Sequence, residues 1–486
     1  MKLSRILNNI DYKLIKGSLD IDIKDLSYNS KEIEKDYAFI CLIGIDRDGH
    51  DYIEDAINNG ANCIITCKDI SIDKDITVIK IKDTRKELSY LSANFFNHPS
   101  EKLFIIGITG TKGKTSTSWM IKEILETNKD KVALIGTLGT YINGKLYKHR
   151  NTTPESYQIQ KYMNIMVKEN IKYLIMEASS QALKVGRINN IEFDIGIFTN
   201  TGLDHVGPRE HPTYEDYINS KAKLFKMCKT GIFNIDDKEY NNMIKNATCK
   251  TITYGKSDKA NLIINNIELK NNEDFLGIKF TTKGIINDTF EVSSPGIFSA
   301  YNATASIALC HQLGIDNSII KKGLKKFHVK GRCEIININN KFNVIIDFAH
   351  NKLSIESIIS TVKNYPHNRI ITLFGCGGGR SREIRYEMGK SSGKLSDFSI
   401  ITADNPRNDD IDEIAEDIKR GIEDESGEYI IINDREKAIN YALNNAKKND
   451  IILLLGKGEE EYQEIKGVRY KFIEKDIIND FINNNK

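Results

Sequence analysis

Several things this sequence lacks narrow its class before any motif is considered. Charge of one sign is missing: 69 basic and 67 acidic residues leave a net charge of +2. That excludes the basic footprint of a nucleic-acid or anionic-membrane binder. No apolar run is long enough to cross a bilayer, Ile451–Leu455 being typical in length. The first thirty residues mix charges and hold no apolar stretch of the secretory kind, so a cytoplasmic protein is expected, with no membrane insertion. The eight cysteines, at 41, 63, 67, 228, 249, 310, 333 and 376, show no C-x-x-C pairing. Neither a disulfide framework nor a zinc site is expected, and Cys63 and Cys67 read as small buried thiols. Proline is scarce, at 7 of 486 residues. Beside abundant isoleucine, asparagine and lysine, that scarcity reads as genomic base composition.

What is present is a strand running into a glycine-rich turn and a helix, Leu103 to Ser116. Glycines 107, 110 and 113 let backbone N–H groups converge on an anion, and a helix beginning near Lys114 points its positive dipole end at the same place. Lys114 would then meet the β- and γ-phosphates of a nucleotide, and the Thr115 hydroxyl a magnesium ion. The strict phosphate-loop spacing fails, because Ile108 stands five before Gly113. The flanking apolar strand and helix supply the context that the bare motif lacks.

The length suits three domains. Residues 1–98 alternate short strands and helices and end at Asn97-His-Pro-Ser100. Residues 99–329 repeat apolar strand and helix, with strands at 103–108, 132–135, 173–176, 195–198 and 231–235, then a β-rich stretch from about 250 to 295 and a helix at 299–313. Residues 330–486 alternate again, with strands at 342–348, 369–374, 398–401, 429–432 and 451–455. Apolar strands separated by helices predict α/β domains: a central parallel sheet carrying the phosphate loop, and a C-terminal doubly wound, Rossmann-like sheet whose ligands lie at the carboxyl ends of its strands.

Polar residues at those ends are the candidates for chemistry. Glu177 follows the strand 173–176, and Asn200, Asp204 and His205 follow 195–198; if these strands flank 103–108, Glu177 and His205 meet the phosphates and complete a magnesium shell. Asn151-Thr-Thr-Pro154 suits a polar ligand. Asp404-Asn-Pro-Arg407 and Gly456-Lys-Gly-Glu-Glu460 follow the strands 398–401 and 451–455; Arg407 could grip a carboxylate and Glu460 an ammonium, so an amino acid is a plausible occupant.

Taken in order, TGTKGKTS at 109–116, NTTP at 151–154, EASS at 177–180, TN with DH at 199–205, YINSKAKLF at 217–225, YNA at 301–303, GR at 331–332, DFAH at 347–350, GCGG at 375–378, DNPR at 404–407 and GKGEEEYQ at 456–463 resemble the Mur ligases, and among them the type that adds the third residue to UDP-N-acetylmuramoyl dipeptide in peptidoglycan synthesis. The resemblance covers nearly the whole chain. It implies an ATP-dependent, ADP-forming amide ligase working through an acyl phosphate, with Lys114, Lys221, His205 and Glu177 catalytic. ATP would be bound by Thr109, Gly110, Thr111, Lys112, Gly113, Lys114, Thr115, Ser116, Asn302, Arg332 and Asp347, with His350 in the adjoining element. The UDP-sugar peptide would meet Ser30, Asn151, Thr152, Thr153, Ser179 and Arg187. The incoming amino acid would meet Arg380, Asp404, Asn405, Pro406, Arg407, Gly456 and Glu460. Magnesium would be held by Thr115, Glu177, His205 and Lys221, the last as a CO2-derived carbamate, since an ammonium beside Mg2+ is repelled while a carbamate ligates it. Arg407 in a DNPR motif implies meso-diaminopimelate. The partners implied are small molecules, with no nucleic acid, and a monomer is expected.

The chain departs from the family's pattern at Gln181, Val185, Gly207 to His211, Asn351-Lys352, Gly379, Ser381 and Glu459. A paralogue that joins a different amino acid or acceptor is the alternative reading. A non-catalytic nucleotide-binding protein is the remote one.

Overall fold

Continuous apolar strands must be covered on both faces, and that requirement builds the sheets of this chain. The computed structural model describes every residue except 45–46, 203–205, 208–209, 273–274 and 486. Two compact units emerge: Met1–Ile263 with Thr304–Ile320, and Ile264–Ala303 with Lys321–Lys486.

In the first unit, a five-stranded sheet runs in the order Tyr12–Lys16, Thr77–Ile81, Ala61–Thr66, Tyr37–Ile40, Asp25–Ser27, parallel except for Tyr12–Lys16. The larger sheet of this unit runs Lys250–Gly255, Cys228–Asn234, Phe193–Phe198, Phe104–Thr109, Tyr173–Glu177, Val132–Gly136, then the antiparallel Gly139–Ile142 and Lys145–Tyr147. Phe104–Thr109 is therefore flanked by the two strands that the sequence reading placed beside it. Ile106 faces Ile195 on one side and Ile175 on the other, which brings Thr109, Glu177 and Phe198 to the same edge. Ile159, Met163 and Met166 of the helix Ser156–Lys168 pack with Ile105, Leu174 and Met176 beneath that edge. Each such burial contributes roughly 1.5–3 kcal/mol, so the edge is a firm platform for polar loops.

In the second unit the order is Glu334–Ile338, Phe342–Asp347, Ile451–Leu455, Ile370–Phe374, Phe398–Ile401, Tyr429–Ile431, with the first strand antiparallel and the others parallel. Alternate residues serve opposite faces: Ile451, Leu453 and Leu455 pack with Ile355, Ile359, Ile414 and Ile418, whereas Ile452 and Leu454 pack with Ile439, Ala442 and Leu443. That is the doubly wound arrangement expected. Helix starts carry acceptors for their orphan N–H groups: Asp410 caps Ile411–Asp424 and Asp434 caps Arg435–Asn444. Asn351 does the same for Lys352–Lys363, in a reciprocal pair with Ser354.

Candidate active site

The strand Phe104–Thr109 delivers the chain into residues 110–113, and Gly113, with φ of 83°, caps the helix Lys114–Thr127. Lys114 folds back over the loop and donates to the carbonyl oxygens of Gly110 at 2.7 Å and Thr111 at 3.1 Å. Lys221, from the helix Tyr214–Ala222, is buried and donates to the same Gly110 carbonyl at 3.0 Å, its ammonium 4.2 Å from the Tyr217 ring. The loop is braced from the neighbouring strand end: Asn200 accepts from the Lys112 N–H at 3.0 Å and donates back to its carbonyl at 3.0 Å, while Tyr217 and Thr111 share hydroxyls at 2.8 Å. Thr109 ends the strand with its side chain buried, and Ser116 lies in the first turn of the helix.

Glu177 lies at the same edge and is fully buried. Its carboxylate accepts from the Thr115 hydroxyl at 3.1 Å, the Thr137 hydroxyl at 2.8 Å and the Thr137 N–H at 3.2 Å. Burial raises its pKa above the ordinary carboxylate value, opposed by the Lys114 charge and these hydrogen bonds. Gly136 has no side chain because a Cβ there would stand 2.3 Å from the Glu177 carboxylate. Asp204 and His205 lie outside the described residues. Among those described, no cluster of three or more His, Cys, Asp or Glu suited to a metal occurs.

The acceptor candidates form one connected group. Thr153 donates to the Glu177 carbonyl at 2.7 Å and accepts from the Ser179 N–H at 3.1 Å, while Ser179 caps the helix Ser180–Val185. The Thr152 and Thr137 hydroxyls are 3.3 Å apart. Arg187 donates to the Thr153 carbonyl at 3.0 Å and to Glu155 at 3.1 Å, and Glu155 also accepts from Arg85 at 2.8 Å. A cavity of about 200 Å³ is lined by Lys114, Lys221, Asn151, Thr152, Ser179 and Arg187, with Gln181, Glu210 and His211 also in its wall. Ser30 lines a second cavity, of about 480 Å³, with Tyr28, Arg47, Arg85 and Glu155. Glu155 thus joins the walls of the two cavities.

In the second unit, Arg332 stacks 4.8 Å over the Phe348 ring, and the Asp347 carboxylate accepts from the N–H groups of Cys333 at 2.8 Å and Ala349 at 2.9 Å. Burial raises the Asp347 pKa, and these hydrogen bonds and the Arg332 charge oppose it. His350 shares a 2.8 Å bond with the Phe348 carbonyl. Asn302 is buried in the helix Ile297–Gln312.

The amino-acid candidates meet where three strand ends come together. Gly378 admits the loop 404–407, since a Cβ there would stand 1.9 Å from the Pro406 carbonyl oxygen. Arg407, at φ 53°, donates to the Gly378 carbonyl at 3.1 Å, and the hairpin Tyr462–Ile465 and Val468–Lys471 holds its backbone through Glu464 and Lys466. Asn405 donates to Glu460 at 2.7 Å; Gly456 donates to the Asp347 carbonyl at 3.1 Å and lies against the Asp404 carboxylate. Arg380 stands exposed before the helix Arg382–Leu395, apart from this cluster's hydrogen bonds.

Several members of these sites are not among the sequence candidates. Thr137 follows the strand Val132–Gly136 directly, which was a usable signal. His211 is fully buried, bonded to Asp216 at 2.7 Å through Nδ1, with Nε2 lacking a hydrogen bond; burial lowers its pKa, opposed by Asp216. Lys457, also fully buried, reads in sequence as an ordinary solvated charge.

Residues 22–104 match the Mur ligase family catalytic domain, 108–310 the Mur ligase middle domain, and 331–458 the Mur ligase glutamate ligase domain. The chain is 40% identical over 485 residues to UDP-N-acetylmuramoyl-L-alanyl-D-glutamate--2,6-diaminopimelate ligase 1 of Clostridium acetobutylicum, covering 99% of each. It is also 40% identical over 486 residues to the corresponding ligase of Clostridioides difficile, again with 99% of each covered. A solved structure of a UDP-N-acetylmuramoyl-L-alanyl-D-glutamate--2,6-diaminopimelate ligase superposes with a TM-score of 0.76 at 27% identity, covering 100% of this chain and 99% of that one.

Proposed function

The chain belongs to the Mur ligase family, and from that premise we propose that it joins meso-diaminopimelate to UDP-N-acetylmuramoyl-L-alanyl-D-glutamate, with ATP cleaved to ADP and phosphate, in peptidoglycan synthesis. We assign residues 1–98 to the UDP-sugar end of the acceptor, 99–329 to ATP and phosphoryl transfer, and 330–486 to the amino acid. The observation that carries the reading is the one cavity lined by Lys114 and Lys221 together with Asn151, Thr152, Ser179 and Arg187. Cations that suit a phosphoryl group thereby share a cavity with polar groups that suit a peptide carboxylate.

An amide cannot form from a carboxylate and an amine in water without activation. Phosphoryl transfer to the D-glutamate carboxylate gives an acyl phosphate; Lys114 answers the charge that develops on the transferring oxygens. The amine then attacks the acyl carbon and phosphate leaves. Thr152, Ser179 and Arg187 orient the acceptor, contributing through proximity. The buried Glu177 carboxylate and the Thr115 hydroxyl are hard oxygen donors 3.1 Å apart, a set that fits Mg2+; when bound, the ion neutralises charge on the nucleotide phosphates. Lys221 is our candidate for the carbamate, since it is buried beside the phosphate loop and a carbamate there would be an anionic oxygen donor for the ion.

Arg407 would pair with the distal carboxylate of diaminopimelate, with Asp404, Asn405 and Glu460 about the ammonium of the same end. No helix among the described residues is long and apolar enough to cross a membrane, and we place the enzyme in the cytoplasm, working as a monomer. The test is phosphate release from ATP with UDP-N-acetylmuramoyl-L-alanyl-D-glutamate and, in turn, meso-diaminopimelate, L-lysine, L-ornithine or no amine. Release with diaminopimelate alone is expected. Release with another amine keeps the ligase and overturns the amino acid; none with any amine removes the acceptor assignment.

A further inference from the structure

Just past the strand Ile451–Leu455 the chain carries Lys457 inward, fully buried. Its ammonium lies 3.1 Å from Asn405 Oδ1, 3.3 Å from Glu460 Oε2 and 3.7 Å from Asp404 Oδ1. Asp404 Oδ1 is itself buried and makes no hydrogen bond, so its charge is answered through space by Lys457. Asn405 locks the arrangement, donating to the same Glu460 oxygen at 2.7 Å and accepting from the Glu464 N–H at 2.9 Å. Lys457 is therefore the cation among three side chains assigned above to the incoming amino acid.

A buried ammonium is costly unless paired, and here two carboxylates and an amide oxygen offset the cost. The same pairing sets the charge of the pocket wall. Lys457 stands 3.7 Å from the Asp404 carboxylate and 3.3 Å from that of Glu460, and it offsets the charge of both. Without Lys457 those two carboxylates lose that cation and attract a substrate ending in a bare ammonium. The distal end of diaminopimelate carries a carboxylate beside its ammonium and is neutral overall, whereas that of lysine is a cation.

We propose that Lys457 is a specificity-determining residue: by neutralising Asp404 and Glu460 it keeps the pocket from favouring amino acids that end in an unaccompanied ammonium. This rests on the reading of the pocket given above. The residue positions charge and need not touch the substrate.

The experiment measures kcat and KM separately for meso-diaminopimelate and L-lysine, and KM for ATP, in the full-length protein and three variants. Lys457→Met is expected to lower the ratio of kcat/KM for diaminopimelate over lysine at least about tenfold, a change worth 1.4 kcal/mol, mainly through the amine KM and with the ATP KM unmoved. Lys457→Arg keeps the charge and is expected to keep the ratio within about threefold. Lys457→Gln removes the charge but keeps a donor for Asn405 and Glu460, which protects folding if the methionine variant is too unstable, and is expected to lower the ratio as Lys457→Met does. An equal loss for both amines in Lys457→Met, or a ratio in folded Lys457→Gln that stays within about threefold of the wild type, overturns the proposal. A wild-type protein that does not prefer diaminopimelate overturns the pocket reading and the proposal with it; a selective wild type whose Lys457→Met variant keeps its ratio overturns the proposal alone.

Discussion

Lys221 in the first unit and Lys457 in the second are both buried, yet their partners differ in kind. Lys221 donates to the Gly110 carbonyl, as Lys114 does from the other side. Lys457 faces the carboxylates of Asp404 and Glu460. A carboxylate carries a full charge and a carbonyl a partial one, so Lys457 fixes Asp404 and Glu460 through full charges. Lys114 and Lys221 instead converge on one loop carbonyl at the end of the strand Phe104–Thr109, where we propose that a phosphoryl group binds. The first arrangement suits a residue that must hold other residues in place, and the second a pair that acts on a ligand.

The largest effect that would sharpen this contrast is expected at Lys114. Lys114→Met should lower phosphate release by about 10³-fold, the scale for losing a donor aimed at developing charge, while unfolding in urea changes by less than about 1 kcal/mol. A stability loss of several kcal/mol would erase the distinction, because Lys114 would then be as structural as Lys457. Glu177→Gln comes next. Turnover should fall about 10²-fold, yet the ligand-free protein should be as stable as the parent, or more so by up to about 1 kcal/mol, because burial already disfavours the charge that the substitution removes. A marked loss of stability in the amide variant would show that the threonine hydrogen bonds outweigh the burial. Arg407→Ala tests the second unit on the same scale: selectivity for diaminopimelate should drop about tenfold with ATP KM unchanged. Equal losses for every amine would remove Arg407 from recognition.

The legible and illegible parts of these sites divide by the distance over which their cause acts. Glu177 was readable because it ends an apolar run, and the strand order puts it beside the loop. The doubly wound sheet was readable because Ile451–Leu455 and its neighbours are apolar throughout and spaced by helices. Lys457 was not, since a lysine between glycines reads as solvated, and its burial is caused by Asp404 and Asn405, some fifty residues earlier. Thr137 stands between: its place directly after a strand was legible, but its partner Glu177 is 40 residues away. Asn351 differs from the family's pattern, yet it serves as a helix cap, a role that local sequence could have shown. His205, inferred from its place after a strand, falls outside the described residues.

The smallest effect lies at the other end of the strand that leads to Lys457. Asp450 is fully buried just before Ile451–Leu455 and accepts from Arg369 at 2.6 Å, the Lys447 N–H at 2.8 Å and Asn368 at 2.8 Å. Burial pushes its carboxyl pKa up, but Arg369 and these hydrogen bonds outweigh burial and hold it below the ordinary value of 3.8. A carboxyl depressed in the folded state stabilises fully above its unfolded pKa and loses that contribution as the pH falls through the folded one. Asp450→Asn should therefore cost about 2 kcal/mol at pH 7, less than a fully buried pair would, because Arg369 is partly in water. The gap between variant and parent should narrow in urea titrations carried down towards pH 3. An equal cost at both pH values would mean that packing, and not charge, is the source. Turnover of the folded variant should match the parent's, since one edge of a parallel sheet carries the chemistry and the opposite edge only the structure. If turnover falls instead, the strand transmits strain from Asp450 to Lys457, and the two ends cannot be treated as separate.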